Sequence, residues 1–286
     1  MNRQLTHIHI TECPRDAMQG IKEWIPTEQK VAYLNALLSC GFDVLDFGSF
    51  VSPKTIPQMQ DTAAVLSELA PSPTELLAIV ANTRGAASAC SYPRISIVGY
   101  PFSISETFQL RNTNSNSEEA LRSLHEISDL CKQNNKQLRV YLSMGFGNPY
   151  GDAWSPELVS KWVKQLSSLF DIAEFALSDT IGCATPDNAK QLFRILNEHF
   201  PTIKFAAHLH VKPGDEAALI QACIDGGCLH FDTAIGGYGG CPMAKDDLTG
   251  NLATEALLGY LNKNDLSHAI QMNQLNKAIA LSTSIF

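Results

Sequence analysis

Eight short apolar runs alternating with helical stretches over 286 residues predict an α/β fold, a (β/α)8 barrel in a single domain. Length agrees, because one closed barrel core takes about 250 residues. So does the placement of polar, titratable side chains, which gather where the predicted strands end, the face on which such barrels carry chemistry. The whole of 1–286 is assigned to this one domain, with a short helical tail from about residue 263.

Residues 7–12 (HIHITE) read as the first strand. A helix follows, with Thr27 as its expected N-cap, apolar residues at Val31, Leu34, Leu37 and Leu38, and Gly41 as its stop. Residues 44–48 (VLDFG) form the second strand. The third to eighth are expected at 76–81, 95–100, 138–143, 174–178, 203–210 and 229–234. Between them, 117–134 and 155–170 have helical periodicity, and Pro156 occupies a favoured first-turn position. The third unit is the shortest, its strand running into Asn82-Thr83-Arg84. RNTNSNS (111–117) is a polar patch, and no long linker or low-complexity segment divides the chain.

Hydrophobic residues make up 45% and charged residues 17%, an ordinary globular balance rather than a disordered one. The net charge of −8 argues against nucleic acid, which needs a basic footprint. No apolar run reaches the roughly 18 residues of a membrane span. MNRQLTHIHI has no apolar signal core, so the expected address is cytoplasmic. The eight cysteines contain no CxxC pair and are expected to be reduced thiols; Cys241, in a glycine-rich segment, stands apart from the other seven.

His208 and His210 are the sharpest local feature. Residues two apart on a strand face the same side, about 6.7 Å apart at Cα. The pair is either two hydrogen-bonded interior histidines or two imidazoles converging on one ion. Asp16, just past the first strand, can add an anionic oxygen. Histidine, carboxylate and amide ligands with open positions suit Mg²⁺ or Mn²⁺ better than structural zinc. Arg15 then offers a fixed cation beside the metal, the alternative being a surface pair with Asp16. Asn251 either caps the following helix or turns its amide oxygen to the metal. Gly236-Gly237-Tyr238-Gly239-Gly240 matches neither a dinucleotide nor a Walker spacing and reads as a mobile segment or a close backbone approach. His7 and His9 repeat the HxH spacing at the start of the first strand, where a structural role is expected. Trp24, Trp154 and Trp162 are expected to pack rather than bind a cofactor.

PRDAMQ (14–19), SFVSPKTIPQMQD (49–61), SDTIGCATP (178–186), HLH (208–210), GGYGGCPMA (236–244) and GNLATE (250–255) together carry a likeness over nearly the whole chain. In them the sequence resembles the 3-hydroxy-3-methylglutaryl-CoA lyase (HMG-CoA lyase) family, metal-dependent lyases with a TIM-barrel fold. The resemblance implies cleavage of 3-hydroxy-3-methylglutaryl-CoA to acetoacetate and acetyl-CoA. It also implies divalent-metal ligands at Asp16, His208, His210 and Asn251, with Mg²⁺ or Mn²⁺ as cofactor. Arg15 matches the arginine that stabilises an enolate oxygen, and Cys241 the catalytic cysteine of a mobile glycine loop. The proton acceptor is His208 or Asp16, with Asp46 a third candidate. Substrate contacts are implied at Arg15, Gln19, Asn112, Asn114 and Thr180. An anionic CoA ester is matched by the metal, Arg15 and Lys54. The partners so implied are an acyl-CoA and a second copy in a homodimer, with no nucleic acid and no membrane. The family usually has Glu where Asp46 stands, Asp-Thr-Tyr where Val211-Lys212-Pro213 follow the histidines, and often Cys where Asn148 stands. The alternatives are a related metallolyase or Claisen-type enzyme on another 3-hydroxyacyl-CoA, or a barrel that binds acyl-CoA without turnover.

Overall fold

The computed structural model describes residues 6–240 and 249–286. Eight strands, β1 (His9–Glu12), β2 (Val44–Ser49), β3 (Glu75–Ile79), β4 (Ile95–Ser103), β5 (Gln137–Ser143), β6 (Glu174–Asp179), β7 (Lys204–Val211) and β8 (His230–Thr233), pair in parallel in sequence order. β8 returns to β1 in register His9↔His230, so the sheet closes into a barrel. A two-residue strand, β9 (Gly250–Asn251), adds antiparallel to β7, with Asn251 opposite His210.

The helices are α1 (Pro14–Met18), α2 (Thr27–Leu38), α3 (Thr62–Glu68), α4 (Thr83–Cys90), α5 (Glu106–Thr113), α6 (Ser117–Gln133), α7 (Pro156–Leu169), α8 (Pro186–His199), α9 (Glu216–Asp225), α10 (Thr254–Lys263) and α11 (Met272–Ser282). α11 packs back on α2, and the Phe286 ring beyond it stacks on Tyr238 at 4.4 Å.

Strand periodicity sorts the side chains into two layers. On β5, Leu138, Val140 and Leu142 pack outward under the helices, whereas Tyr141 joins Leu77, Ile79, Ile97, Ala176 and Ala206 inside the barrel. The same alternation on β7 sends Phe205, Ala207 and Leu209 outward and turns His208 and His210 inward. Arg139 is buried among the interior residues and bonded to Asp232 (2.6 Å), Glu174 (3.0 Å) and the Thr11 hydroxyl (3.1 Å). An arginine buried that deeply is tolerated because two carboxylates share its charge.

One local expectation is corrected and one alternative is settled. Thr27 does not cap α2; it lies one residue inside the helix and its hydroxyl donates to Asp61 at 2.8 Å. Asn251 does not cap α10, because it belongs to β9 and the helix begins at Thr254. The polar patch RNTNSNS divides between two helices. Its first half ends α5, Asn114 adopts a left-handed conformation (φ 52°), and Asn116 forms a capping box with Glu119 at the start of α6. Gly41 does stop the α2 segment, at φ +88°, where a Cβ would meet the Ala269 carbonyl oxygen at 2.6 Å. The short third unit ends as its sequence suggests, with the Asn82 side chain accepting from Gly85 N at 2.9 Å and capping α4. Of the tryptophans, Trp162 packs on Phe102 and Trp154 donates to the Gly145 carbonyl, but Trp24 is 45% exposed, with Lys30 Nζ 3.8 Å above its ring.

Glu12, at the end of β1, roots the segment after β8. One carboxyl oxygen accepts from Ile235 N at 2.8 Å, and the other meets the hydroxyls of Thr254 (2.6 Å) and Thr233 (3.3 Å). Burial pushes this carboxyl up to about 8 from an ordinary 4.5. The folded chain therefore keeps a proton that the unfolded chain has lost. The resulting stability is complete below pH 4.5 and is lost as pH rises toward 8. Each pH unit in that window costs at most about 1.4 kcal/mol. Glu12→Gln is expected to flatten the decline of Tm between about pH 5 and 8; an unchanged slope would assign the decline to other groups.

Candidate metal centre

The C-terminal end of β1 turns directly into α1, with Pro14 at its first position, and this places Arg15 and Asp16 over the barrel mouth. Both are buried. Arg15 reaches Asp46 on β2 with Nε (3.0 and 3.2 Å) and Nη2 (2.5 Å), and donates from Nη1 to Asp16 Oδ1 and Gln19 Oε1, each at 3.0 Å. The surface-pair alternative for Arg15 and Asp16 is thus excluded. Burial raises the Asp46 carboxyl and the guanidinium opposes it, while the two carboxylates hold the Arg15 proton on against burial. Asp46 is committed to Arg15 on both oxygens.

Asp16 is the point where three elements meet. Gln19 Nε2 donates to its Oδ1 at 2.7 Å and Asn251 Nδ2 to its Oδ2 at 2.8 Å. The Asn251 amide also donates to the Tyr238 carbonyl at 2.9 Å. Although burial raises it, Arg15, His208 and His210 hold the Asp16 carboxyl below the usual aspartate value. It is therefore an anion at neutral pH.

The two β7 imidazoles lie 5.7 Å apart between ring centroids. His208 Nδ1 is 3.0 Å from Asp232 Oδ2, and His210 Nδ1 is 3.0 Å from the Thr180 carbonyl oxygen, which can only accept. His210 thus carries its proton on Nδ1, and its Nε2 is buried with no hydrogen-bond partner among the described residues. Burial, then His208, lowers the His210 pKa below its ordinary value, so the ring is neutral. One ligand atom each from Asp16, His208 and His210 falls within 4.8 Å of the others. A buried anion, a neutral imidazole with a bare nitrogen and a second imidazole backed by a carboxylate are what a divalent cation requires. The residues fit a metal ion.

The glycine segment is laid across this group. Gly239 (φ +89°) passes so close that a Cβ would lie 2.7 Å from Ala17 Cα, 2.8 Å from Asn251 Nδ2 and 2.9 Å from the Asp16 carbonyl oxygen. A close backbone approach is the use of these glycines that the structure displays. Cys241, the expected cysteine of this segment, lies outside the described residues. The other seven cysteines are free thiols, six of them buried and Cys183 half-buried.

Arg15, Asp16, Gln19, Asp46, His208, His210, Asn251 and the Thr180 backbone are therefore brought together. Asn112 and Asn114 are not part of this network; both are exposed at the end of α5. Reading the sequence missed Asp232, Arg139 and Tyr141. Asp232 orients His208 and ties it to Arg139, and the Tyr141 ring stands edge-on to His208 at 5.5 Å, its buried hydroxyl without a hydrogen-bond partner among the described residues. Their signal was the inward half of the strand alternation on β5 and β8. Asp232→Asn is expected to weaken divalent-ion affinity about 10–100-fold, measured by Mn²⁺ titration. Unchanged affinity would remove His208 from the ligand set.

A family model described as HMGL-like matches residues 8–281. The cytoplasmic 3-hydroxy-3-methylglutaryl-CoA lyase of Rattus norvegicus is 31% identical over 276 residues, 95% of this chain and 79% of that protein. The hydroxymethylglutaryl-CoA lyase YngG of Bacillus subtilis is 32% identical over 266 residues, 93% of this chain and 88% of its own. Among solved structures, an HMG-CoA lyase from Acinetobacter baumannii in complex with coenzyme A and 3-methylmalate superposes with a TM-score of 0.91 at 26% identity, covering 100% of this chain and 93% of that one. The Bacillus subtilis HMG-CoA lyase structure gives 0.91 at 31% identity, covering 98% and 94%.

Proposed function

The chain belongs to the HMGL-like family, and from that premise we propose that it cleaves 3-hydroxy-3-methylglutaryl-CoA to acetoacetate and acetyl-CoA. The observation that carries this reading is the convergence of Asp16, His208 and His210 within 4.8 Å, with Arg15 fixed beside them. Asp16, His208 and His210 would hold Mg²⁺ or Mn²⁺, joined by the Asn251 oxygen once its amide, which here donates to Asp16 and Tyr238, turns over; the ion when bound supplies Lewis acidity that eases loss of a substrate hydroxyl proton.

The remaining roles fall to side chains of the chain itself. His208 or Asp16 accepts the proton of the C3 hydroxyl. The C2–C3 electron pair then passes to the thioester, releasing acetoacetate and leaving the enolate of acetyl-CoA. Arg15, its guanidinium pinned by Asp46 and Asp16, stands ready to meet the developing oxyanion without reorganising. Asp46 serves here as the anchor of Arg15 rather than as the base. Cys241 returns a proton to the enolate carbon. Gln19 and Thr180 contact the substrate at the centre, and Asn112 and Asn114, exposed at the end of α5, are the further substrate contacts. The setting in this reading is the cytoplasm, the word carried by the rat relative's name, with a homodimer as the assembly. No helix of the described residues is long and apolar enough to cross a membrane.

Product analysis tests the proposal. Incubation of the protein and Mg²⁺ with 3-hydroxy-3-methylglutaryl-CoA is expected to yield acetoacetate and acetyl-CoA in equal amounts. Cleavage of a different 3-hydroxyacyl-CoA in preference to this one would move the reading to a related lyase.

A further inference from the structure

A second group of ligating side chains lies at the opposite mouth of the barrel. His9 opens β1, His7 precedes it, and Asp43 immediately precedes β2, so all three sit at the N-terminal ends of the strands. His7 and His9, two residues apart, turn to the same side, and their rings lie 4.9 Å apart edge to face. One ligand atom from each of His7, His9 and Asp43 falls within 4.8 Å of the others, and all three residues are half-buried.

The supporting contacts resemble those behind a metal ligand. Asp43 Oδ2 is fixed by Ile10 N at 2.8 Å, which leaves Oδ1 to face His9 Nδ1 at 2.9 Å. Two ligand atoms at the tetrahedral angle around one zinc ion, each about 2.1 Å from it, are separated by about 3.4 Å, so the His9–Asp43 pair would open by about 0.5 Å to admit the ion. His7 Nδ1 is 3.2 Å from the Ser267 hydroxyl, which sets the ring and leaves Nε2 free of that contact. The His9 ring is further held by stacking on His230 at 4.7 Å. Lys204 and Arg139 lie close enough to act electrostatically on the stacked His230. Arg139 is already shared between Asp232 and Glu174.

We propose that His7, His9 and Asp43 form a second metal site that takes Zn²⁺, independent of the centre at the other mouth. Two imidazoles and a single carboxylate, with no second oxygen ligand of the kind Asn251 would add at the other mouth, form a donor set that Zn²⁺ takes readily, whereas Mg²⁺ prefers more oxygen ligands and keeps its waters. The bound ion clips the segment before β1 to the approach of β2, and through Ser267 to the segment between α10 and α11.

Equilibrium dialysis of the chelator-stripped full chain against Zn²⁺ tests this, using His7→Ala/His9→Ala and, separately, His208→Ala/His210→Ala. The His7/His9 variant is expected to bind one zinc fewer per chain than the unsubstituted protein. It should also retain Mg²⁺-supported turnover and lose the zinc-dependent rise in Tm. Equal zinc content in the two proteins would overturn the proposal, as would complete loss of zinc in the His208/His210 variant. If the His208/His210 variant instead loses no zinc while the His7/His9 variant does, the second site stands and the first has no zinc. Should the double variant fail to fold, His7→Ala alone is expected to weaken zinc binding about tenfold or more. Unchanged affinity in that variant would equally overturn the site.

Discussion

Asp16→Asn is expected to lower kcat by about 10³-fold or more and to abolish saturable Mg²⁺ binding. Asp16 supplies the sole negative charge among the three converging ligand atoms, and the substitution removes that charge at almost constant volume. It also breaks the hydrogen-bond arithmetic around the side chain. Arg15, Gln19 and Asn251 all donate to Asp16, and an amide has one oxygen where the carboxylate has two. A loss of three decades in rate corresponds to about 4 kcal/mol, within the range of electrostatic stabilisation an ion provides. Turnover with and without metal, alongside isothermal titration with Mn²⁺, checks both halves. Full metal affinity with lost turnover would make Asp16 a proton acceptor alone. Unchanged turnover would show that the centre lies elsewhere.

Arg15→Met carries the second large effect, and it divides between stability and rate. Removing the guanidinium leaves Asp46 without the partner that contacts both its oxygens in a fully buried position, at a cost of about 3–5 kcal/mol. Loss of the donor aimed at the enolate oxygen should lower kcat a further 10²–10³-fold. The two effects separate in Arg15→Met/Asp46→Leu, which should regain most of the Tm and none of the kcat. Arg15→Lys retains a charge but not the fork that holds Asp46 and Asp16 together, so it should recover only part of either. If the double variant recovered turnover, Arg15 would be a packing element and the oxyanion role would fall. Asp46→Glu, the residue the family usually has there, should keep the pair and hence the stability.

Period-2 patterning is local, and so were the parts of this molecule that could be read directly. Strands such as HLH with its neighbours or HFDT declare which residues face the barrel axis, and Gly41 and Asn82 mark where elements stop and start. Asp16 and the His208–His210 pair were legible for the same reason, since strand ends carry the chemistry of this fold. Long-range pairings were not. Asp46 lies 31 residues from Arg15, and nothing local distinguishes a carboxylate that anchors a guanidinium from one that takes a proton. The Arg139–Asp232–His208 chain joins three strands and emerges only once the barrel closes. The polar patch 111–117 carried no periodicity to assign it, because Asn and Ser serve helix caps as readily as loops, and here they end α5 and begin α6. Thr27 failed as a cap because its hydroxyl found Asp61 on a neighbouring segment instead.

The most direct measurement is turnover of 3-hydroxy-3-methylglutaryl-CoA by the 286-residue protein before chelation, after chelation, and after Mg²⁺ or Mn²⁺ is restored. The predicted result is acetoacetate production that disappears with chelator and returns with the ion, and that Asp16→Asn and His210→Ala fail to recover at the same metal concentration. Undiminished cleavage in chelator, or no cleavage with metal restored to the folded protein, would contradict a metal-dependent lyase built on Asp16, His208 and His210.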